Sequence, residues 1–128
     1  MSITWSYSTL NLYQQCPKKY YHLKVVKDVK DEGSVATIYG NEAHKAAEEY
    51  IAYGTPLPVK FAFMQKPLEA LQGIRGKKHC EMKLGVTLCD KNYSPCDFFA
   101  PDVWWRGIAD LLIIDGDKGY LVDYKTSK

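Results

Sequence analysis

Residues 107–125 read GIADLLIIDGDKGYLVDYK, and they predict a β-hairpin. An apolar run is followed by a turn cluster rich in Asp and Gly and then by a second, shorter apolar run, which is the order typical of two antiparallel strands. If Ile114 and Gly119 pair beside the turn, Asp110 lies directly opposite Asp123. Cross-strand neighbours hold their Cβ atoms about 4.5–5.5 Å apart, and like charges at that distance are destabilising.

Two facing carboxylates on half-buried strands need a compensating partner, and a bound divalent cation is the most economical one. Lys125 lies two positions after Asp123, on the same face of that strand. Two carboxylates and an amine on one surface are suited to metal-assisted attack on a phosphodiester. From these three residues alone, a surface hairpin with a cross-strand ion pair remains the alternative.

Length and composition set broad limits. The chain has 128 residues, of which 46% are apolar, and a net charge of +2; we therefore expect a single folded domain over residues 1–128. The sequence contains neither a membrane-spanning run nor a signal peptide, so we expect a cytoplasmic protein. Its four cysteines form no CxxC pair and are expected to be free thiols.

The order of predicted elements is helices first and strands second, which favours an α/β fold. Helices are predicted over about Ala36–Tyr53 and Val59–Ile74, where apolar residues recur at helical spacing. The pattern changes to strand over His79–Cys89 and in the hairpin that follows. Between these strands, we expect Asp90–Pro101 to be a loop.

The first of these helices carries the segment Gly40-Asn41-Glu42-Ala43-His44. Its first and last residues lie one turn apart on a common face. Because glycine inside a helix costs about 0.5–1 kcal/mol relative to alanine, we expect another part of the chain to approach that face closely. The imidazole of His44 is an acceptable ligand for several divalent metals, and packing within a half-buried face is the alternative.

Taken together, these motifs resemble the PD-(D/E)XK nuclease superfamily in its RecB-like branch. The resemblance is carried by GxxxH ending at His44, GxxD ending at Asp110 and the DYK of residues 123–125, with a serine-rich opening and a Cys16-Pro17 step before them. It implies a restriction-endonuclease-like core, in which a small mixed β-sheet is flanked by the N-terminal helices. The strands that carry Glu81, Asp110 and Asp123 are expected to be adjacent.

The resemblance also implies the roles of individual residues. The implied metal ligands are His44, Asp110, Asp123 and the main-chain carbonyl of Tyr124, and the implied catalytic residues are Asp110, Asp123, Lys125 and Glu81. Glu81 matches by position an additional glutamate upstream of GxxD. One or two Mg²⁺ or Mn²⁺ ions are the expected cofactor, and Lys125 is expected to position water or stabilise developing negative charge.

The expected substrate is DNA, with linear single- or double-stranded ends as the implied targets of an exonuclease in recombination, repair or phage replication. The first third of the chain is basic and rich in aromatic residues, so contact with phosphates and bases is possible there; the lysines and the aromatic residues are Lys18, Lys19, Lys24, Lys27, Lys30, Tyr13, Tyr20, Tyr21 and His22. Arg106, just before GxxD, could also approach phosphates. A solvated lysine face over packed tyrosines is the alternative.

The chain departs from the RecB-like pattern in two ways. We expect the helix with a QxxxY element, which usually follows the lysine strand, to be missing, because only three residues follow Lys125 in this sequence. We therefore expect a complementing segment or subunit to be needed for full activity, and a non-catalytic nucleic-acid-binding subunit is the alternative function. The spacing of Cys80, Cys89 and Cys96 does not match the cysteine pattern of relatives with an iron–sulfur cluster, so no cluster is expected.

Overall fold

The computed structural model describes residues 3–126 of the chain, with helices first and strands second, as the sequence predicts. The chain divides into two compact units, a first unit of residues 1–32 and 83–108 and a second unit of residues 33–82 and 109–128. The elements are α1 (Tyr7–Gln15), α2 (Pro17–Tyr20), a π-helix (Tyr21–Val26), α3 (Val35–Tyr53), a 3-10 helix (Val59–Met64), α4 (Gln65–Gly73), β1 (Lys77–Cys89), β2 (Asn92–Cys96), β3 (Val103–Asp115) and β4 (Lys118–Val122).

The strands form a four-stranded sheet in the order β2-β1-β3-β4, and the β1–β2 and β3–β4 pairs are antiparallel. A parallel bridge joins Trp5 to Trp105. Glu81 lies on β1 and Asp110 on the neighbouring β3, and Asp123 directly follows β4. The predicted α/β class and the predicted adjacency of these strands are therefore confirmed. The interpretation of residues 1–128 as one domain stays a prediction.

The β3–β4 hairpin has the register that the sequence suggested. Ile114 pairs with Gly119, and the last pair before the strands separate is Leu111 with Val122. Gly116, in the two-residue turn, has a φ of 62°, a backbone conformation that glycine adopts without strain. Asp110 and Asp123 are consequently opposite each other, one residue beyond the last pair of the β3–β4 ladder.

The prediction of a loop over Asp90–Pro101 is wrong, because this segment contains β2, which forms a hairpin with β1. Asp90 and Lys91 form its two-residue turn with φ values of 47° and 66°. Turns of this kind usually carry Asn-Gly or Asp-Gly, and Asp90-Lys91 has no glycine that would indicate a turn. Pro95 has no amide hydrogen to donate to a strand ladder, and it is tolerated because β2 lies at the edge of the sheet.

The second unit is built around α3, whose predicted bounds are correct to within one residue. The side chain of Ser34 accepts a hydrogen bond from the Thr37 amide at its start, and Gly54, with a φ of 69°, ends it. Small residues on α3 let it pack closely against α4 and β3. The core cluster of these three elements consists of Ala47, Ile51, Leu68, Leu111 and Ile113.

The first unit contains an aromatic cluster. Tyr20 is buried and stacks on Trp5, with ring centroids 5.6 Å apart, and Tyr13 meets both rings edge-on. Burial of apolar ring surface stabilises this unit. Because Tyr20 belongs to this cluster, it is not free to stack on a nucleic-acid base. Over residues 3–126, no helix combines the length and the apolar character needed to cross a membrane.

Candidate metal centre

Three potential metal ligands converge in the second unit, although they are far apart in the sequence. His44 comes from α3, Glu81 from β1 and Asp110 from β3. One ligand atom of each residue lies within 4.8 Å of the ligand atoms of the other two, and all three side chains are half-buried. Helix and sheet packing therefore brings an imidazole and two carboxylates to one point.

Asp110 is held by contacts to both of its carboxylate oxygens. Its Oδ2 accepts a hydrogen bond of 2.8 Å from the Tyr124 amide, and its Oδ1 lies 3.3 Å from Nδ1 of His44. Only 11% of the side chain is exposed. Because a main-chain donor fixes one oxygen, the orientation of the carboxylate is set by the end of the β3–β4 hairpin.

His44 contacts an aromatic ring in addition to Asp110. Its imidazole meets the Tyr124 ring edge-on, with centroids 5.8 Å apart and planes at 90°. One turn earlier on α3, a Cβ at Gly40 would lie 3.4 Å from Oγ1 of Thr126. The close approach expected at Gly40 is therefore confirmed, and the approaching segment is the one that follows β4.

Glu81 has a backbone conformation that is uncommon for a residue with a side chain. Its φ is 49°, in the left-handed region, where non-glycine residues cost on the order of 1–3 kcal/mol and cluster at functional sites. Burial raises the pKa of its carboxyl above the ordinary value, and the charges of Glu48 and Asp110 raise it further, against an opposing effect of His44. A cation at this point would reverse that direction.

Asp123 and Lys125 form an exposed ion pair after β4. Nζ of Lys125 lies 2.6 Å from Oδ2 of Asp123, and the two side chains are 75% and 60% exposed. The hydrogen bond from Lys125 lowers the pKa of the Asp123 carboxyl, and a hydrogen bond with Asp110 also lowers it. Asp123 is therefore next to Asp110, as the register requires, although it is not one of the three convergent ligands.

Tyr124 contributes to the centre in two ways that the sequence did not indicate. Its amide donates to Asp110, and its ring contacts His44. Its hydroxyl is buried and has no hydrogen-bond partner among the described residues. Burial raises the pKa of this hydroxyl, and the neighbouring thiol of Cys80 and the carboxylates raise it further. The phenol is consequently neutral at physiological pH.

Glu48 is a further acidic residue at the centre that sequence reasoning missed. It lies on α3 one turn after His44 and is half-buried. Its charge raises the pKa of Glu81, of Cys80 and of Tyr124. The spacing of four residues from His44 is the signal that could have indicated it, since residues i and i+4 share a helix face.

The donor set fits a hard divalent cation. Ligands of one Mg²⁺ or Mn²⁺ lie about 2.0–2.2 Å from the ion and hence roughly 3–4 Å from one another, a spacing that small side-chain adjustments would give from the observed separation of up to 4.8 Å. The clustered carboxylates raise the pKa of Glu81, and a cation would relieve this repulsion. His44, Glu81 and Asp110 could therefore hold such an ion.

A comparison with protein-family models matches residues 4–73 to the model of the PD-(D/E)XK nuclease superfamily. The match covers more than half of the chain and includes α3 with His44. It ends before β1, so Glu81 and Asp110 lie outside it. No curated protein and no solved structure matches the chain significantly.

Proposed function

This chain belongs to the PD-(D/E)XK nuclease superfamily, and from that premise we propose that it is a divalent-metal-dependent nuclease that hydrolyses phosphodiester bonds of DNA. The single observation that carries this proposal is the convergence of His44, Glu81 and Asp110. These residues lie on three different elements, and two of the three are outside the segment matched by the family model. Sequence similarity and geometry therefore support the same chemistry independently.

The proposed metal ligands are His44, Glu81 and Asp110, with Asp123 and the main-chain carbonyl of Tyr124 as further ligands by resemblance. When bound, Mg²⁺ or Mn²⁺ would supply Lewis acidity, which polarises a phosphoryl oxygen and lowers the pKa of an attacking water. The main-chain amide of Tyr124 holds Asp110 in place. The Tyr124 ring packs perpendicular to the imidazole of His44 and restricts its rotation, so the ligands are oriented before an ion binds.

Lys125 is proposed as the catalytic lysine. Its ammonium group lies 2.6 Å from Oδ2 of Asp123, and Asp123 lies next to Asp110 at the end of the β3–β4 ladder. Because the pKa of Asp123 is lowered, its carboxylate is ionised at neutral pH and keeps the ammonium group at the edge of the centre. From there Lys125 can stabilise the negative charge that develops on the phosphate during hydrolysis.

The RecB-like branch and an exonuclease mode are proposed from the order of the motifs. GxxxH, GxxD and DYK follow one another with the spacing of that branch, after a serine-rich opening. Linear DNA ends are the proposed substrate, during recombination, repair or phage replication.

Degradation of end-labelled linear DNA in Mg²⁺, in Mn²⁺ and in EDTA tests this function. A covalently closed circle serves as the control for an end requirement. We expect metal-dependent loss of the linear DNA, an intact circle, and a loss of activity of at least about 100-fold in Asp110→Asn and Lys125→Ala, as is typical when a group that stabilises transition-state charge is removed.

Cleavage of the circle would keep the nuclease and overturn the exonuclease mode. Equal cleavage in EDTA would overturn the metal dependence. If folded protein bound DNA and left every substrate intact, the non-catalytic nucleic-acid-binding subunit would replace the nuclease as the proposed function.

A further inference from the structure

The first unit contains two adjoining cavities that share three lining residues. The larger has a volume of about 720 Å³ and the smaller of about 540 Å³. Leu23, Lys24 and Lys27 line both. The two lysines therefore stand where the cavities meet, and a ligand long enough to occupy both would pass them.

Cations outnumber carboxylates in the lining of these cavities. Arg106 lines the smaller cavity, and Lys30 and Asp31 line the larger. Within residues 3–126, no ion pair joins Lys24, Lys27 or Arg106 to a carboxylate. Uncompensated cations around a concave surface attract an anion and raise its local concentration.

The surrounding chain holds one of these cations in place and gives another an uncommon backbone conformation. The guanidinium carbon of Arg106 lies 4.8 Å above the Phe98 ring, and its amide donates a 2.9 Å hydrogen bond to the Trp5 carbonyl. Lys27 follows the π-helix and has a φ of 59° and a ψ of 33°, the left-handed conformation that favours glycine after a helix. A lysine at a position that favours glycine needs a reason other than backbone geometry.

We propose that the two cavities form one track that binds the phosphodiester backbone of a single nucleic-acid strand, and we call them the basic track. The shared lysines favour a chain of phosphates over one isolated phosphate. Leu12, Leu23 and Val29 add apolar walls that suit the sugars and unpaired bases of a single strand. The inference rests on the proposed function only for the choice of DNA as the strand.

Lys27→Gly is the sharpest test, because it removes the charge and at the same time relieves the backbone. Its matched control is Lys91→Gly. Lys91 is also an exposed lysine of the first unit with a left-handed backbone, at a φ of 66°, but it lies in the β1–β2 turn and lines neither cavity. Both variants are expected to keep or raise the melting temperature, since glycine adopts this conformation without strain.

The readout is the fluorescence anisotropy of a labelled single-stranded oligonucleotide in EDTA, where the metal centre is empty and no hydrolysis occurs. We expect Lys27→Gly to weaken binding about fivefold at 0.1 M salt and to reduce the slope of log K against log salt by about 0.7, the values for one lost phosphate contact on a single strand. Lys91→Gly should change neither. Arg106→Gln should weaken binding in the same way as Lys27→Gly.

Competition distinguishes a nucleic-acid backbone from a free phosphate compound. An unlabelled oligonucleotide should displace the labelled strand, whereas inorganic phosphate or a nucleoside monophosphate at the same phosphate concentration should not. Displacement by the monophosphate would overturn the strand as the ligand. Equal effects of Lys27→Gly and Lys91→Gly, or no effect of either, would overturn the basic track.

These outcomes are separable from those of the nuclease. Asp110→Asn should lose cleavage and bind the strand normally in EDTA. Normal binding by Lys27→Gly together with metal-dependent cleavage would overturn the proposed role of the basic track and support the nuclease activity. Weakened binding by Lys27→Gly in a protein that cleaves nothing would keep the basic track and remove the nuclease.

Discussion

Among single residues, Asp110 makes the contacts that join the candidate metal centre to the chain around it. One carboxylate oxygen accepts from the Tyr124 amide and the other faces His44. Asp123 lies opposite Asp110, one residue beyond the last pair of the β3–β4 ladder. An asparagine at this position keeps the size of the side chain but removes the charge, so Asp110→Asn tests metal binding with little change in shape.

Glu81→Gln tests whether repulsion among the clustered carboxylates destabilises the folded protein. Because the pKa of Glu81 is raised in the folded state, the folded state binds more protons than the unfolded state at pH values between the two pKa values. The free energy of unfolding therefore falls as the pH rises through that interval. Without metal, Glu81→Gln should therefore have a higher free energy of unfolding than the intact protein at pH 7. The gain should disappear below about pH 4, where the carboxyl is protonated in both states.

Urea unfolding in EDTA at pH 4 and pH 7 measures this difference. Glu32→Gln is the control, since Glu32 is exposed and lies outside the cluster. A loss of stability in Glu81→Gln at pH 7 would contradict the proposed repulsion among the carboxylates.

At the residue scale, short motifs pointed to residues that the structure brings together, whereas contacts set by the fold had no sequence signal; the roles of these residues stay predictions. His44 and Asp110 were named from GxxxH and GxxD, and the structure brings them to 3.3 Å. The left-handed backbone of Glu81 has no sequence signal, because glutamate is not a residue that usually adopts it. Glu48 was missed since its effect on Glu81 depends on how α3 packs against the sheet.

At the scale of elements, the two hairpins show what local sequence can predict. The β3–β4 turn contains Gly116 at a positive φ, so both the turn and the register followed from the sequence. In the β1–β2 turn, Asp90 and Lys91 both have a positive φ. The local sequence does not favour this turn, and the pairing of β1 with β2 stabilises it. The edge position of β2 depends on the whole sheet, and the segment alone did not reveal it.

Gly76→Ala should destabilise the protein by about 2–4 kcal/mol. Gly76 has a φ of 127°, and a Cβ there would lie 2.6 Å from the Ile114 carbonyl oxygen. The backbone of the segment before β1 therefore has to move away from β3. The free energy of unfolding in urea measures the effect.

Gly73→Ala is the matched control within the same segment. Gly73 is the last residue of α4, and a Cβ there meets nothing within 4 Å. Alanine should consequently stabilise by up to about 1 kcal/mol. Equal effects of the two substitutions would contradict the close approach of β3 to Gly76.

At the scale of the whole molecule, the net charge does not indicate how the charged residues are distributed. A net charge of +2 neither demands nor excludes nucleic acid. The structure nevertheless gathers cations in the first unit, along the basic track, and carboxylates in the second unit, around Asp110. The α/β class followed from the order of helices and strands, whereas this separation of charge could not be predicted because it depends on tertiary packing.

The central claim is that His44, Glu81 and Asp110 bind a divalent cation, and the most direct test is the thermal stability of the protein during titration with Mn²⁺. An ion that binds only the folded state should stabilise the intact protein by about 2.7 kcal/mol at 100 times its dissociation constant. Asp117→Asn, in the β3–β4 turn, should show the same stabilisation. Asp110→Asn should lose most of it, and an equal shift in Asp110→Asn would contradict the assigned centre.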